Sequence, residues 1–319
     1  MLKKNTNKAK AKQSVAYFVL ICGVPFPSRS IAHAAKMSYP TLTSSHVTYM
    51  NPSSRCTQED LYLHIPSLSP LPNQLWDMYC VFDGHGGRES VDWIETNFPD
   101  VVRSCVRDVF GNWDGLGGEN ENENQEENKS KERFSSMVQK AIKMSYYKAD
   151  VKMSRTVKSS GSTAATALVI RYSKASTCSI YAANCGDTRI TALPLTGPGP
   201  PSPLKALTTD HKPTLQSESS RVAQAGGFIM RGRVCGILAV TRAFGDYQIK
   251  QFVPCLPSQA TLDIDPPFNL NLYCDGVSDV LTDEAAAEWG KDGGAKRIVN
   301  EAVREGTNDN VTAVVVNVV

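Results

Sequence analysis

Little in this sequence points to nucleic acid, to a disulfide framework or to a zinc site. The formal net charge is only +2, from 34 basic and 32 acidic residues, so no overall field favours a nucleic-acid or membrane-surface partner. The nine cysteines lack C-x-x-C spacing, and no pair of histidines is spaced to bind zinc. We therefore expect buried, reduced thiols, which suit a reducing compartment.

The sequence also lacks an internal repeat and any linker that would separate two domains. With 319 residues, of which 41% are hydrophobic, it predicts one large domain over residues 37–319. We expect this domain to be a monomer.

The first 36 residues form a basic and apolar extension. Five lysines precede the apolar run Val15–Phe26, and Ala32–Ala34 follows it, which is the layout of a cleavable secretory signal over residues 1–34. The run is too short to span a bilayer, so no stable membrane insertion is expected. A disordered extension, or sequence translated before a start at Met37, explains the pattern equally well. The reduced thiols favour the cytoplasm or nucleus over the secretory pathway.

The first part of the domain predicts strands followed by helices. Leu61–Ile65 and Met78–Phe82 read as neighbouring strands that pair. Apolar residues fall on one helical face over Val91–Phe98, and Pro99 predicts the end of that helix. A second helix is expected over Asp100–Phe110.

A polar tract interrupts the domain at about residues 112–131. Its Glu/Asn-rich run over Glu119–Asn128 cannot bury enough apolar surface to offset ordering, so it predicts a mobile surface insertion. A solvated loop is favoured over an acidic docking arm. An amphipathic helix then follows from Phe134 to Met144. The rest is richer in strands, which are predicted at Thr163–Tyr172, Cys178–Ala183, Thr188–Leu195, Leu272–Cys274 and Val311–Val319.

Aspartates stand where several of these strands end. Asp83 is followed by Gly84, and glycine lets the backbone come close to a ligand, so both residues can offer oxygens to one small cation. An ordinary turn with Asp83 as a helix cap is the alternative. Asp187, Asp275 and Asp309 occupy similar positions. Carboxylates gathered at one rim would repel unless cations lay between them, and oxygen-only ligands favour magnesium or manganese.

Eight short blocks, in order from Arg55 to the last strand, carry a resemblance to a known family. They resemble the motifs of the metal-dependent protein serine/threonine phosphatases of the 2C type, and each is weak alone. The blocks are Arg55–Asp60, Asp83–Gly87, Gly161–Ala164, Asn184–Arg189, Asp210–Pro213, Leu238–Asp246, Cys274–Gly276 and Asp309–Thr312.

The resemblance implies an α+β fold, a four-layer α-β-β-α sandwich in which two packed antiparallel sheets are flanked by helices. It implies hydrolysis of phosphoserine and phosphothreonine in phosphoprotein substrates by a hydroxide that bridges two divalent cations, Mg²⁺ or Mn²⁺. Asp83 would bridge the two cations. The other implied ligands are Glu59, Asp60, the Gly84 carbonyl, Asp275 and Asp309, with Asp187 and Asp279 joining Asp275 at a weaker third site.

Two further residues are candidates for the reaction itself. Arg55 has a planar fork of donors suited to clamp two phosphate oxygens. His85, two residues from Asp83, is placed to protonate the departing seryl or threonyl oxygen. Cys80 lacks the phosphate-cradling loop and following arginine of a cysteine-dependent phosphatase, so we interpret it as core.

Two other functions stay open from the sequence. One is a catalytically inactive module that keeps the phosphatase fold and recruits partners, and the other is a metallohydrolase of small phosphate esters. The segment before Asp279 departs from the family pattern because it lacks the usual tryptophan, which puts the third site in doubt.

Overall fold

The computed structural model describes residues 38–111, 113, 123–173, 175–195 and 203–319. In these ranges two antiparallel sheets form the centre of the domain. Across the first sheet the strands are β1 (Leu42–Tyr49), β14 (Val311–Val318), β13 (Phe268–Tyr273), β7 (Arg189–Pro194) and β8 (Lys205–Ala206). Across the second they are β11 (Phe244–Gly245), β4 (Gly161–Ser162), β3 (Gln74–His85), β5 (Ala164–Tyr172), β6 (Cys178–Cys185) and β12 (Ser258–Ile264), with β2 (Asp60–Ile65) also paired to β3.

Five helices and one small hairpin complete the described part of the chain. The hairpin pairs β9 (Ile229–Met230) with β10 (Arg233–Val234). The helices are α1 (Glu89–Phe110), α2 (Glu123–Met153), α3 (Gln216–Gln224), α4 (Asp275–Ser278) and α5 (Asp283–Arg304).

Alternation along the strands explains the layering. On β3, Tyr79 and Val81 join a core cluster that also contains Leu272 and Val314 of the other sheet, so this cluster fills the space between the sheets. The residues of β3 that point the other way contact a second cluster formed with α1 and α2. The first sheet packs its outer face on α5. Because side chains alternate with a period of two, each sheet buries both faces.

The predicted four-layer α-β-β-α sandwich is thereby confirmed. The predicted pairing of the first two apolar segments is also confirmed, since β2 and β3 are antiparallel neighbours. The closing strand β14 is buried along almost its whole length, as its continuous apolar run indicated.

Two helix boundaries differ from the sequence predictions. The helix predicted to stop at Pro99 continues as one helix, α1, through Phe110. A proline removes one backbone donor, but the apolar face on both sides of it, from Ile94 to Val106, packs on the core, and this packing outweighs the loss. The tract predicted as a loop is already helical from Glu123, where α2 begins. Most of residues 112–122, like residues 1–37, lie outside the described residues.

The eight cysteines in the described ranges are free thiols, and five of them are buried. None of the helices in those ranges combines the length and apolar character needed to cross a bilayer.

Candidate active site

Asp60 and Asp83 face each other across the β2–β3 pair, because the strand register pairs their Cα atoms. Ligand atoms of these two residues and of Cys274 all lie within 4.8 Å of one another. Cys274 Sγ donates a hydrogen bond to Asp60 Oδ2 at 3.2 Å. Asp60 is 3% exposed, whereas Asp83 is half-buried, so the carboxylate pair reaches solvent on the Asp83 side.

Glycine is required at position 84 by a close approach of the backbone. Gly84 N donates to the Glu59 carbonyl oxygen at 3.1 Å, and a Cβ on residue 84 would lie 2.5 Å from that oxygen. The carboxylate of Glu59 accepts a hydrogen bond from Gly87 N at 3.3 Å. The contact therefore keeps Glu59 beside the end of β3.

Asp275 and Asp309 reach the same place from the other sheet. Asp275 begins α4 immediately after Cys274, and its carboxyl group lies close to that of Asp83. Asp309 lies just before β14 and forms an ion pair with Arg55. Arg55 Nε also donates to the Asn308 carbonyl oxygen at 3.1 Å. The sandwich thus gathers carboxylates from four segments at one rim.

Burial is the largest cause of the raised pKa at these aspartates. It raises the pKa of Asp60 and of Asp275 from 3.8 to about 7, and the pKa of Asp83 well above its ordinary value. Repulsion adds to burial, chiefly from Asp275 on the pKa of Asp83. Burial also raises the pKa of Asp309, against the opposing charge of Arg55. The rim therefore holds more carboxyl groups than it can carry as negative charges without cations nearby.

The donor set fits divalent cations. In the described ranges no lysine, arginine or histidine forms an ion pair with Asp60, Asp83 or Asp275. Asp275 Oδ1 is buried there without a hydrogen-bond partner. Buried carboxylates without counter-charges, one with an orphaned oxygen, are what a hard cation compensates.

Comparison with known proteins decides the family. The family model described as protein phosphatase 2C matches residues 48–311. The chain belongs to the protein phosphatase 2C family. It is 34% identical over 305 residues to probable protein phosphatase 2C 69 of Arabidopsis thaliana, with 92% of this chain and 73% of that protein covered. Protein phosphatase 2C homolog 1 of Saccharomyces cerevisiae is 30% identical over 285 residues, which cover 83% of this chain and 90% of that protein.

Solved structures agree on the fold. The crystal structure of a serine-threonine phosphatase 2C from Toxoplasma gondii superposes with a TM-score of 0.67 at 20% identity, covering 88% of this chain and 96% of that one. Membership of the protein phosphatase 2C family makes this protein a metal-dependent protein serine/threonine phosphatase that acts on phosphoproteins. The predicted activity and the predicted need for divalent metal are confirmed.

The contact between His85 and Asp246 in this phosphatase was not predicted from its sequence. His85 Nε2 lies 2.8 Å from Asp246 Oδ2, although the residues are 161 positions apart. A Cβ on Gly161 would overlap both side chains, so glycine is needed there. The only signal in the sequence was that Asp246 closes one of the family blocks.

Asp187 and Asp279 meet around a lysine that the sequence analysis also missed. Lys212 Nζ lies 3.2 Å from Asp187 Oδ2 and 3.8 Å from Asp279 Oδ1. Burial raises the pKa of Asp187, and the charge of Lys212 opposes that rise. The Asp187 charge also contributes to the raised pKa of Asp275. The two groups of acids are therefore neighbours, and in the described ranges only the group of Asp187 and Asp279 has a basic ion-pair partner.

A buried histidine supports the turn before Asp187. His211 Nδ1 accepts a hydrogen bond from Gly186 N at 3.1 Å, and its Nε2 bonds Ser258 Oγ at 2.9 Å. Burial lowers the pKa of His211 to about 4, so the ring is neutral at physiological pH. Its role here is to hold a turn.

Proposed function

We propose that the carboxylate rim of this phosphatase holds two divalent cations, Mg²⁺ or Mn²⁺. Asp83 would contribute to holding both cations, because its carboxyl group interacts with Asp60, Asp187 and Asp275 and is partly open to solvent. Oxygen ligands favour these hard ions over zinc. The remaining ligands, direct or through water, are Glu59, Asp60, the Gly84 carbonyl, Asp275 and Asp309. Asp187 and Asp279 form a separate cation-binding edge, whose occupant is considered in the next section.

The chemistry that the cations supply when bound is a hydroxide nucleophile at neutral pH, because a divalent cation can lower the pKa of bound water from about 15.7 toward 7. The chain then needs no nucleophilic side chain. Cys80 agrees with this, since it is fully buried and burial raises the pKa of its thiol.

Arg55 binds the phosphate group of the substrate. Its side chain is 47% exposed, and its guanidinium pairs with Asp309 at the edge of the rim. If the Asp309 carboxylate helped to hold a cation, the guanidinium donors of Arg55 would be free, and their planar arrangement would match two phosphate oxygens in a bidentate contact. Arg55 would thereby orient phosphorus toward the nucleophile.

His85 donates the proton that the departing seryl or threonyl oxygen requires. The residue is partly open to solvent at the end of β3, next to the proposed ligands. Asp246 accepts a hydrogen bond from His85 Nε2 when that nitrogen carries a proton, and this contact fixes the orientation of the ring. Asp246 is thus a positioning residue that acts through His85.

One observation carries the proposal, namely that Asp60, Asp83 and Asp275 lie together with raised pKa values and, in the described ranges, without an ion-pair partner. The test is phosphate release from a phosphothreonine peptide with Mg²⁺ or Mn²⁺. We expect chelator, Asp83→Ala and Asp275→Asn each to abolish release. Asp292→Asn, which changes an exposed acid on α5, should leave it intact.

The alternatives are outcomes of the same experiment. Release that survives chelation or the two site variants would refute the mechanism. Binding of the peptide without turnover by folded, metal-loaded protein would indicate an inactive module. Turnover of p-nitrophenyl phosphate with none of the phosphopeptide would indicate a small-ester hydrolase.

A further inference from the structure

The rim contains two groups of acids that differ in how their charge is balanced. The central group of Asp60, Asp83 and Asp275 has no ion pair with a basic residue in the described ranges. The adjacent edge of Asp187 and Asp279 has one, to Lys212. The central group therefore needs cations from solution, whereas the edge of Asp187 and Asp279 already has the ammonium of Lys212 as its cation.

Lys212 is held in this position by its surroundings. Its ammonium lies 3.2 Å from Asp187 Oδ2, and the Asp187 side chain is 4% exposed while that of Lys212 is 30% exposed. A carboxylate buried to this degree depends on a nearby counter-charge. The charge of Asp187 in turn raises the pKa of Lys212, against its own desolvation.

The other acid near Lys212 has a closer basic partner of its own. Asp210 lies 3.9 Å from Lys212 Nζ, but it accepts two hydrogen bonds from Arg189, at 2.9 and 2.8 Å. Arg189 also pairs with Asp283 at 2.9 Å. Lys212 is therefore available to the Asp187 and Asp279 pair.

We propose that the ammonium of Lys212 is the resident cation between Asp187 and Asp279, and that it keeps this edge from taking a third divalent ion. The inference rests on the proposed two-cation centre, which it limits to two ions. A divalent ion at the edge would have to displace Lys212 and leave its charge without its closest partner. Removing the ammonium should open the edge, because Asp187 is then buried without a counter-charge.

The test is the number of Mn²⁺ ions bound by the full chain after chelator treatment, measured by isothermal titration calorimetry. We expect two ions for the wild type and three for Lys212→Met. Lys212→Arg, which keeps the charge, should bind two. Lys148→Met is the matched control, because Lys148 also pairs with an aspartate, Asp108, but on the outer surface. Adding Asp187→Asn to Lys212→Met should remove the gained site.

The number gained relative to wild type tests the inference, and the number bound by wild type tests the two-cation centre. A folded Lys212→Met protein with no gained ion, an equal gain in Lys148→Met, or three ions in wild type would overturn the role of Lys212. If wild type bound no Mn²⁺ and Lys212→Met bound one, the result would contradict the proposed two-cation centre but support the proposed role of Lys212. If circular dichroism shows that Lys212→Met does not fold, Lys212→Gln provides the same comparison.

Discussion

Replacing Asp60 by asparagine should stabilise the metal-free phosphatase, although Asp60 belongs to the proposed metal centre. Burial raises the pKa of Asp60 from 3.8 to about 7 in the folded chain. Between those values the folded chain binds more protons than the unfolded chain, so stability falls as the pH rises from 3.8 to about 7. An asparagine has no charge to desolvate and removes this dependence.

The size of the effect follows from the shift. A rise of roughly 3 pKa units at Asp60 lowers the free energy of unfolding by about 4 kcal/mol at pH 7 and by about 2 kcal/mol at pH 5. Where the amide nitrogen of the asparagine takes the place of Oδ2, the hydrogen bond that Cys274 Sγ donates there is lost, which costs about 1 kcal/mol. The expected net gain in the free energy of unfolding is therefore about 3 kcal/mol at pH 7 and about 1 kcal/mol at pH 5.

Urea unfolding in the presence of chelator, followed by tryptophan fluorescence at pH 5 and pH 7, measures this gain. Asp292→Asn is the control, because it changes an exposed acid and should not alter the difference between the two pH values. Saturating Mn²⁺ should stabilise wild type more than Asp60→Asn. A variant that is less stable than wild type at pH 7 without metal, or equally stabilised at both pH values, would contradict the reasoning.

Three predictions concern the reaction. His85→Gln should lower kcat about 10²- to 10⁴-fold in a phosphopeptide assay. Adding Asp246→Asn should lower kcat little further, because Asp246 acts through His85. Additive losses in kcat would contradict this. Arg55→Lys should raise KM for the phosphopeptide more than it lowers kcat, with unchanged Mn²⁺ binding by calorimetry, since lysine cannot make a bidentate contact. Gly161→Ala should reduce kcat without changing Mn²⁺ stoichiometry, because its Cβ overlaps His85 and Asp246; full activity would refute that role.

Much of the fold could be predicted from the sequence because each strand has a local pattern of apolar residues. The continuous apolar run that becomes β14 indicated burial on both faces, and the two apolar segments that become β2 and β3 indicated a pair. The acids at strand ends indicated a rim of carboxylates. The prediction that a helix ends at Pro99 was wrong, because packing on both sides of the proline outweighed its local tendency to end a helix.

The sequence by itself determined which residue types stand at the ends of the strands and, through eight ordered blocks, the family. Tertiary structure alone decided which charges meet. It brought His85 to Asp246 across 161 positions and put Lys212 between Asp187 and Asp279. The physical reason is that strand and helix signals depend on neighbours a few residues apart, whereas the balance of charge at a buried rim depends on side chains that only the tertiary fold brings within 4 Å of one another.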